Sequence, residues 1–507
     1  MKKAQRLLLL TALPFLALTS CNNTSSEQEQ ISVDPDRIVF ANANLCQEKF
    51  GGLGVEWGAY EDTDKLMEGG WEKIIKHMDH LDVARIRLMV SYDWFCLNFD
   101  DKGNDDKTDD TWTYNFSNKY ATNTIEILEY CQIHNIDVAF GAWNVIGKLG
   151  SDDVWNMMDE VTSDIRWAKI TADMLDFLVN KKGFTCIKWF VNSNEPNYKG
   201  NKGSSKNWNN TFDIWAQGVK NVRNALDEIG LTDIGIIGGD TTGFEGCEEY
   251  LLGIAKNIKE YVADYGAHLY LSNIIVNRGE MYDRVTELYD RIKELDPEAG
   301  KSRPADIWEA GLIDGKTSLD CQSLIDTVGY AVRMTDYTVQ ALMSGINGIT
   351  YWDFDDGMHF MYTDNSMTSK EWGMFSSLAD ASSDKQELRP WYHTSSLLCH
   401  MMRKNNFIIN PSYKEMRFRS IATISQDRKQ AGFVALNSGT SSVTKSFRIE
   451  EEVEGDKLYV YIFNEESYRL DEEGYVIPNY IIDGSLNDEI SVTIPKSTAI
   501  FVSNTRL

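Results

Sequence analysis

Two acidic residues sit where a strand-like run gives way to a turn, and both could move protons or attack carbon. The first is Glu195, in Trp189-Phe190-Val191-Asn192-Ser193-Asn194-Glu195-Pro196, where an apolar run ends and a polar loop continues through Gly203. The run Cys186 to Val191 has the length of a buried strand. Proline forbids further ladder pairing, so the carboxylate is left at the carboxyl end. The second is Glu309, in Ala305-Asp306-Ile307-Trp308-Glu309-Ala310-Gly311, which closes another short run before a glycine turn. Two carboxyls facing one cleft can break a glycosidic bond: one protonates the departing oxygen while the other attacks or activates water. That chemistry requires the elements between them to bring both to one mouth.

From Gly52 onward, short β-like runs alternate with longer amphipathic ones, the pattern of βα units around a parallel sheet. The expected strands are Gly52–Ala59, Ala84–Val90, Asp137–Trp143, Cys186–Val191, Ile234–Gly239, Asp264–Tyr270, Ala305–Ala310 and Gly348–Phe354. The expected helices are Trp71–Leu81, Thr122–His134, Asp164–Asn180, Asn209–Ile229, Glu248–Ile258, Tyr282–Leu295, Ser323–Met343 and Trp391–Met402. Eight such units predict an α/β fold, a (β/α)8 TIM barrel over residues 51–402, with Glu195 after strand four and Glu309 after strand seven. Beyond Arg403 the runs Arg417–Ile424, Ala431–Asn437, Ser442–Ile449, Lys457–Phe463 and Ile490–Ser503 are strand-like, with no helix-length pattern between them. They predict a small C-terminal antiparallel β-sandwich over residues 403–507, and the strand-like Ile31–Phe40, within a 31–50 segment, is expected to pair with it.

At this point the chain resembles the retaining (β/α)8 glycoside hydrolases of the 4/7 superfamily (clan A), through Asn194-Glu195-Pro196 after strand four and Trp308-Glu309 after strand seven. The resemblance implies Glu309 as nucleophile and Glu195 as acid/base, cleaving β-linked neutral sugars by double displacement. It implies that Arg87 hydrogen-bonds the nucleophile; Arg85 shares its strand face, and Arg87 is nearer the carboxyl end. It implies that Asn194 holds the sugar 2-hydroxyl, that Tyr270 orients the nucleophile, and that Trp352 forms an aromatic floor. His268, on the face of Tyr270, could touch either carboxylate. Trp143, Asn144, Glu56 and Trp57 close strands three and one and are candidate sugar contacts. Retention predicts carboxyls about 5–5.5 Å apart, against about 6.5–9.5 Å for inversion. The long segments Ser91–Tyr120 and Asp355–Arg389 either close one end of a groove for exo action or wall an endo-acting cleft.

Bulk properties bound the remaining readings. The chain has 507 residues, 42% hydrophobic and 25% charged, with 14 Trp and 23 Tyr, a globular composition rich in the rings that sugars stack on. A formal charge of −27 excludes nucleic acid as a partner, because phosphates would be repelled. With seven histidines and no His-x-His at a strand end, no metal or other cofactor is expected. A Gly-x-Ser-x-Gly nucleophile elbow is also lacking. The acidic loop Asp100–Asp110 does not follow the EF-hand order and reads as a solvated loop.

Lys2, Lys3 and Arg6 precede the apolar stretch Leu7–Leu18, a signal peptide that ends in Leu18-Thr19-Ser20-Cys21. That ending resembles the bacterial lipobox, which implies lipidation of Cys21, a polar tether over 22–30, and membrane anchoring, with the outer membrane expected. The other seven cysteines show no Cys-x-x-Cys spacing and read as buried thiols, with room for one disulfide. The competing reading is a surface glycan-binding protein that kept the barrel without catalysis.

Overall fold

Three stretches, Arg85–Val90, Asp137–Ala142 and Ala305–Leu312, are buried at every residue. Strands covered on both faces belong to a parallel sheet wrapped by helices. The computed structural model describes residues 34–59, 70–90, 95–100, 102–142, 161–198, 211–356, 360–363, 366–369, 371–376 and 388–507. The leader and tether, Cys21, Trp143 and Asn144 lie outside the described residues.

The central sheet has nine parallel segments, and two of them, Gly235–Ile236 and Gly239–Thr242, are halves of one interrupted strand. The first half pairs with strand four, Ile187–Val191, and the second with strand six, Tyr265–Leu271. The sheet therefore curls into an eight-position barrel that closes through the broken fifth strand. The expected unbroken Ile234–Gly239 is thus corrected. Its extended segment splits around Ile237-Gly238 and continues to Thr242, because Gly238 and Gly239 have no room for a side chain: a Cβ would meet Asp264 O at 2.2 Å and Gly266 O at 2.6 Å.

Helices wrap the barrel where the 3.6-residue period places them. Asn118, Asp164, Thr211 and Thr327 cap four of them by accepting from amides of the first turn. The helix expected from Ser323 starts only at Val328, after the Thr327 cap. Inside the barrel Met89, Ala139, Val191, Ile237 and Trp308 pack as a separate apolar plug.

Strand seven carries an extra residue. Ala267 pairs with Ile307, but the next residue, His268, pairs with Glu309, so Trp308 is bulged out of register. The bulge lets Trp308 fill the plug while its neighbour Glu309 turns to the same interior one step higher. Bulges re-aim side chains in this way.

The C-terminal region is two sheets. A seven-stranded antiparallel sheet includes Phe418–Ile424, Ala431–Asn437, Lys457–Phe463 and Thr498–Ser503, and also takes in Phe407–Ile409 and Tyr480–Asp483. A three-stranded sheet holds Val443–Ile449 between Arg37–Phe40 and Ile490–Ile494. Arg37–Phe40 pairs with Val443–Ile449 in parallel, unlike its antiparallel surroundings. The expected single strand Ile490–Ser503 is two strands on different sheets, parted at Pro495 and at Ser497, whose φ is 52°. A buried ion pair between Arg419 and Asp336 ties this region to the helix after strand seven. The described cysteines other than Cys96, namely Cys46, Cys131, Cys186, Cys247, Cys321 and Cys399, are free thiols.

Candidate active site

The carboxyl ends of strands four and five are stapled together before any side chain reaches the mouth. Glu195 N donates to Asp240 O at 3.0 Å. Asn197 Nδ2 donates to Thr242 O at 2.7 Å, and Thr242 N returns a bond to Asn197 Oδ1 at 2.9 Å. Glu195 and Asp240 both hold positive φ, 44° and 52°. Such strained positions in non-glycine residues persist only where the surroundings over-determine them, and they cluster at functional sites.

Arg87 is fully buried under the mouth and binds four acceptors. Nη1 donates to Glu56 Oε2 and Glu309 Oε1, both at 2.9 Å. Nη2 donates to Asn194 Oδ1 at 2.6 Å and to Asp240 Oδ2 at 2.8 Å. Holding Asn194 by its oxygen leaves the NH2 end as the one that can meet a hydroxyl. Arg85 lies deeper on the same face, bound to Asp306 at 2.6 Å and packed between Trp189 and Trp308. Of the two arginines, Arg87 is the one at Glu309.

Glu309 accepts on both oxygens, Oε1 from Arg87 and Oε2 from the Tyr270 hydroxyl at 2.7 Å. A Cβ on Gly311 would come within 2.8 Å of the Tyr270 ring, so a bare glycine permits that approach. Burial outweighs the pull of His268 and Arg87 and leaves the Glu309 carboxyl above its ordinary value. Against that burial, Arg87 and the Tyr270 hydroxyl each donate to one of its oxygens, contacts that favour the ionised form. Burial, helped by the Glu309 charge, drives the Tyr270 phenol well up, which keeps it a donor.

His268 stands between the acids with no exposed surface. Its Nδ1 lies 3.1 Å from Glu195 Oε1 and 3.4 Å from Glu309 Oε2, and its Nε2 lies 2.8 Å from Asp240 Oδ1. Burial alone would lower its pKa, but the Asp240 and Glu309 charges outweigh that and raise it to about 10. Burial likewise opposes ionisation of Glu195, yet the His268 contact and charge hold that carboxyl below its ordinary value. Asp240 is lowered too, its burial outweighed by Arg87 and His268. Burial raises Glu56 to about 8 despite Arg87. The resting site thus keeps Glu195 ionised, the reverse of what an acid needs before its first step.

Glu195, His268 and Glu309 are the grouping of possible metal-binding side chains among the described residues, with one donor atom from each within 4.8 Å of the others. Arg87 already supplies positive charge there through its bond to Glu309, so no metal ligands are assigned.

The remaining candidates divide. Trp352 is half-buried just after strand eight, its amide bonded to Ala310 O at 3.1 Å beside Glu309. Trp57 does not join the site, which corrects the expectation. It is fully buried behind the barrel wall, with its ring 6.0 Å from Trp71, 5.6 Å from Tyr130 and 5.8 Å from Phe354. Strand parity explains this, since its neighbour Glu56 takes the inward direction. Sequence reasoning missed Asp240 altogether. An acid directly after the Gly238-Gly239 pair, at the end of the fifth run, was the available signal.

No protein-family model matches the chain, and no curated protein matches it in sequence. Its fold is shared with solved glycoside hydrolase structures at low identity. The catalytic domain of a GH30 xylanase C from Talaromyces cellulolyticus superposes with TM-score 0.62 at 12% identity, covering 92% of this chain and 100% of that one. The endo-β1,6-glucanase BT3312 gives 0.60 at 13%, covering 94% and 96%. A GH39 enzyme from Xanthomonas axonopodis pv. citri gives 0.60 at 12%, covering 94% and 99%. At such identities the likeness concerns the fold.

Proposed function

We propose that the protein is a retaining glycoside hydrolase acting on β-linked neutral sugars by a two-glutamate double displacement. One observation carries the reading: Glu195 and Glu309, from strands four and seven, bring carboxylate oxygens within 4.8 Å of each other across one mouth. That spacing favours direct attack by one carboxylate over the wider gap that a water between them would need. The sugar-cleaving neighbours with the same fold lend support.

In this reading Glu309, held ionised by Arg87 and Tyr270, attacks the anomeric carbon and forms an ester. Glu195 protonates the departing oxygen, then takes a proton from the water that hydrolyses the ester. Asn194 holds the 2-hydroxyl and Trp352 underlies the ring. When Glu309 becomes a neutral ester its field on Glu195 disappears, which suits Glu195 to act as base.

The test is sugar release from xylan, β-1,6-glucan and aryl β-xylosides and β-glucosides by wild type, Glu195→Ala and Glu309→Ala. Glu309→Ala abolishes turnover, and azide then yields the inverted glycosyl azide. Glu195→Ala loses about 10²–10⁴-fold on unactivated substrates but keeps more activity on aryl glycosides. Equal small losses in both variants dismiss the site. Binding without release by wild type leaves the glycan-binding reading.

A further inference from the structure

We propose that Asp240 and His268 form the proton store of the acid/base: the proton that Glu195 delivers rests on Nδ1 of His268, where Asp240 holds it. This inference rests on Glu195 being the acid/base.

The hydrogen-bond inventory leads there. Asp240 is tied to Arg87 through Oδ2 at 2.8 Å, and an arginine keeps its charge at any working pH, so the aspartate stays ionised. An ionised carboxylate only accepts, so the hydrogen between Asp240 Oδ1 and His268 Nε2 belongs to the ring. The other ring nitrogen faces two carboxylate oxygens, 3.1 Å away on Glu195 and 3.4 Å away on Glu309. Neither can donate when ionised, so the contact needs one hydrogen, placed on Nδ1 or on Glu195. One proton has two seats about 3 Å apart, within reach of direct transfer.

The surroundings favour the ring. Facing His268 are Glu195 from the turn after strand four, Asp240 from strand five and Glu309 from strand seven, the last two bound in turn to Arg87 of strand two, which also holds Glu56 of strand one. Tyr270 stands on its own strand, and Cys247, on the helix after strand five, bonds instead to Thr241 O at 2.9 Å. Three of these groups are carboxylates in direct contact with the ring, and a cationic ring offsets part of their charge. Burial of the ring opposes this balance, and the raised pKa of His268 agrees with its outcome.

The proton count closes over a turnover. As Glu309 forms its bond to the anomeric carbon and the glycosidic C–O bond breaks, the Nδ1 proton passes to Glu195 and from Glu195 to the departing oxygen. His268 is then neutral and Glu195 ionised. In the second half water gives a proton to Glu195 and its hydroxyl to the anomeric carbon, the ester to Glu309 breaks, and the proton returns to Nδ1. Asp240 touches no substrate; it is a positioning residue whose backbone carbonyl also fixes the Glu195 amide.

The test uses the full chain with ¹⁵N-labelled histidine, the His268→Gln spectrum assigning the His268 signals. At pH 7 both His268 nitrogens carry hydrogen in wild type, and in Asp240→Asn the ring is neutral. A neutral wild-type ring, or an unchanged cation in Asp240→Asn, overturns the proposal whether or not the protein cleaves sugar. On whichever xylan, glucan or aryl glycoside wild type hydrolyses, the alkaline limb of kcat/KM falls by about one pH unit in Asp240→Asn. The acid limb and KM stay in place. His268→Gln, which keeps a donor to Asp240 but no titrating ring, lowers the same limb and covers a failure of Asp240→Asn to fold. An unmoved limb overturns the proposal, whereas absence of any sugar release with a cationic, Asp240-dependent ring overturns only the glycosidase reading.

Discussion

Arg87 Nη1 donates to Glu309 Oε1 at 2.9 Å, linking a buried cation on strand two to the carboxylate on strand seven. The same guanidinium also serves Glu56, Asp240 and Asn194, so a single side chain sets the charge and posture of the whole floor.

Removing that cation strands three buried acids. Arg87→Met should lower stability by about 3–5 kcal/mol, because breaking a buried pair leaves uncompensated charge. Urea unfolding reads the loss. A change below about 1 kcal/mol would show that the floor holds its charge by other means.

Tyr270→Phe removes the hydrogen bond to Glu309 Oε2. The lost bond stabilised the ionised form, so the Glu309 pKa rises and less of the enzyme is active at low pH. The acid limb of kcat/KM should move up by about one pH unit. An acid limb that stays put would separate Tyr270 from the ionisation of Glu309.

A second set of histidines predicts acid sensitivity away from the site. His80 stacks on Tyr475 at 3.6 Å and meets His400 at 5.5 Å, His77 lies 4.9 Å from Phe375, and His393 lies 6.2 Å from Tyr468. Burial above all pushes His77, His80 and His393 from 6.5 down to about 4. The unfolded chain therefore takes up protons first as pH falls. The stability that the neutral rings contribute is full above pH 6.5 and is lost through the window down to about 4. The slope is at most about 1.4 kcal/mol per histidine per pH unit. Unfolding midpoints measured from pH 7 to 4 should fall, and His80→Phe should flatten the fall. A flat wild-type profile would contradict the assignment.

Location is a proposal from the leader alone. Cys21→Ala should move the protein from the membrane pellet to the soluble exported fraction, and wild type should incorporate labelled fatty acid. Equal partitioning of both would remove the anchor. Among the described residues no helix is long and apolar enough to cross a membrane.

Much of the site could be read from the chain because strand ends are punctuated. Asn194-Glu195-Pro196 follows the end of strand four, strand seven runs on through the glycine expected to close it to Leu312, and counting strands puts both glutamates at one mouth. The family resemblance put Arg87 with them, ahead of Arg85 on the same face because it is nearer the carboxyl end, and period-two parity, applied to Glu56, would have sent Trp57 to the outer wall. Asp240 was not read because the fifth strand is broken by glycines that accommodate neighbouring backbone, and an interrupted run does not announce where it ends. The bulge at Trp308 is likewise invisible in the pattern: alternation would have put Trp308 and Glu309 on opposite faces, and only the register against His268 shows them sharing one. The direction of the Glu195 shift needed three-dimensional neighbours, since His268 is far away in sequence.

The central claim is a double displacement through Glu309, and the anomer released first tests it most directly. Proton NMR of the β-xyloside or β-glucoside that the enzyme hydrolyses, followed from the first minutes, should show the β-anomer appearing before mutarotation supplies the α-form. Initial release of the α-anomer would contradict the account, because it would put water rather than Glu309 at the anomeric carbon.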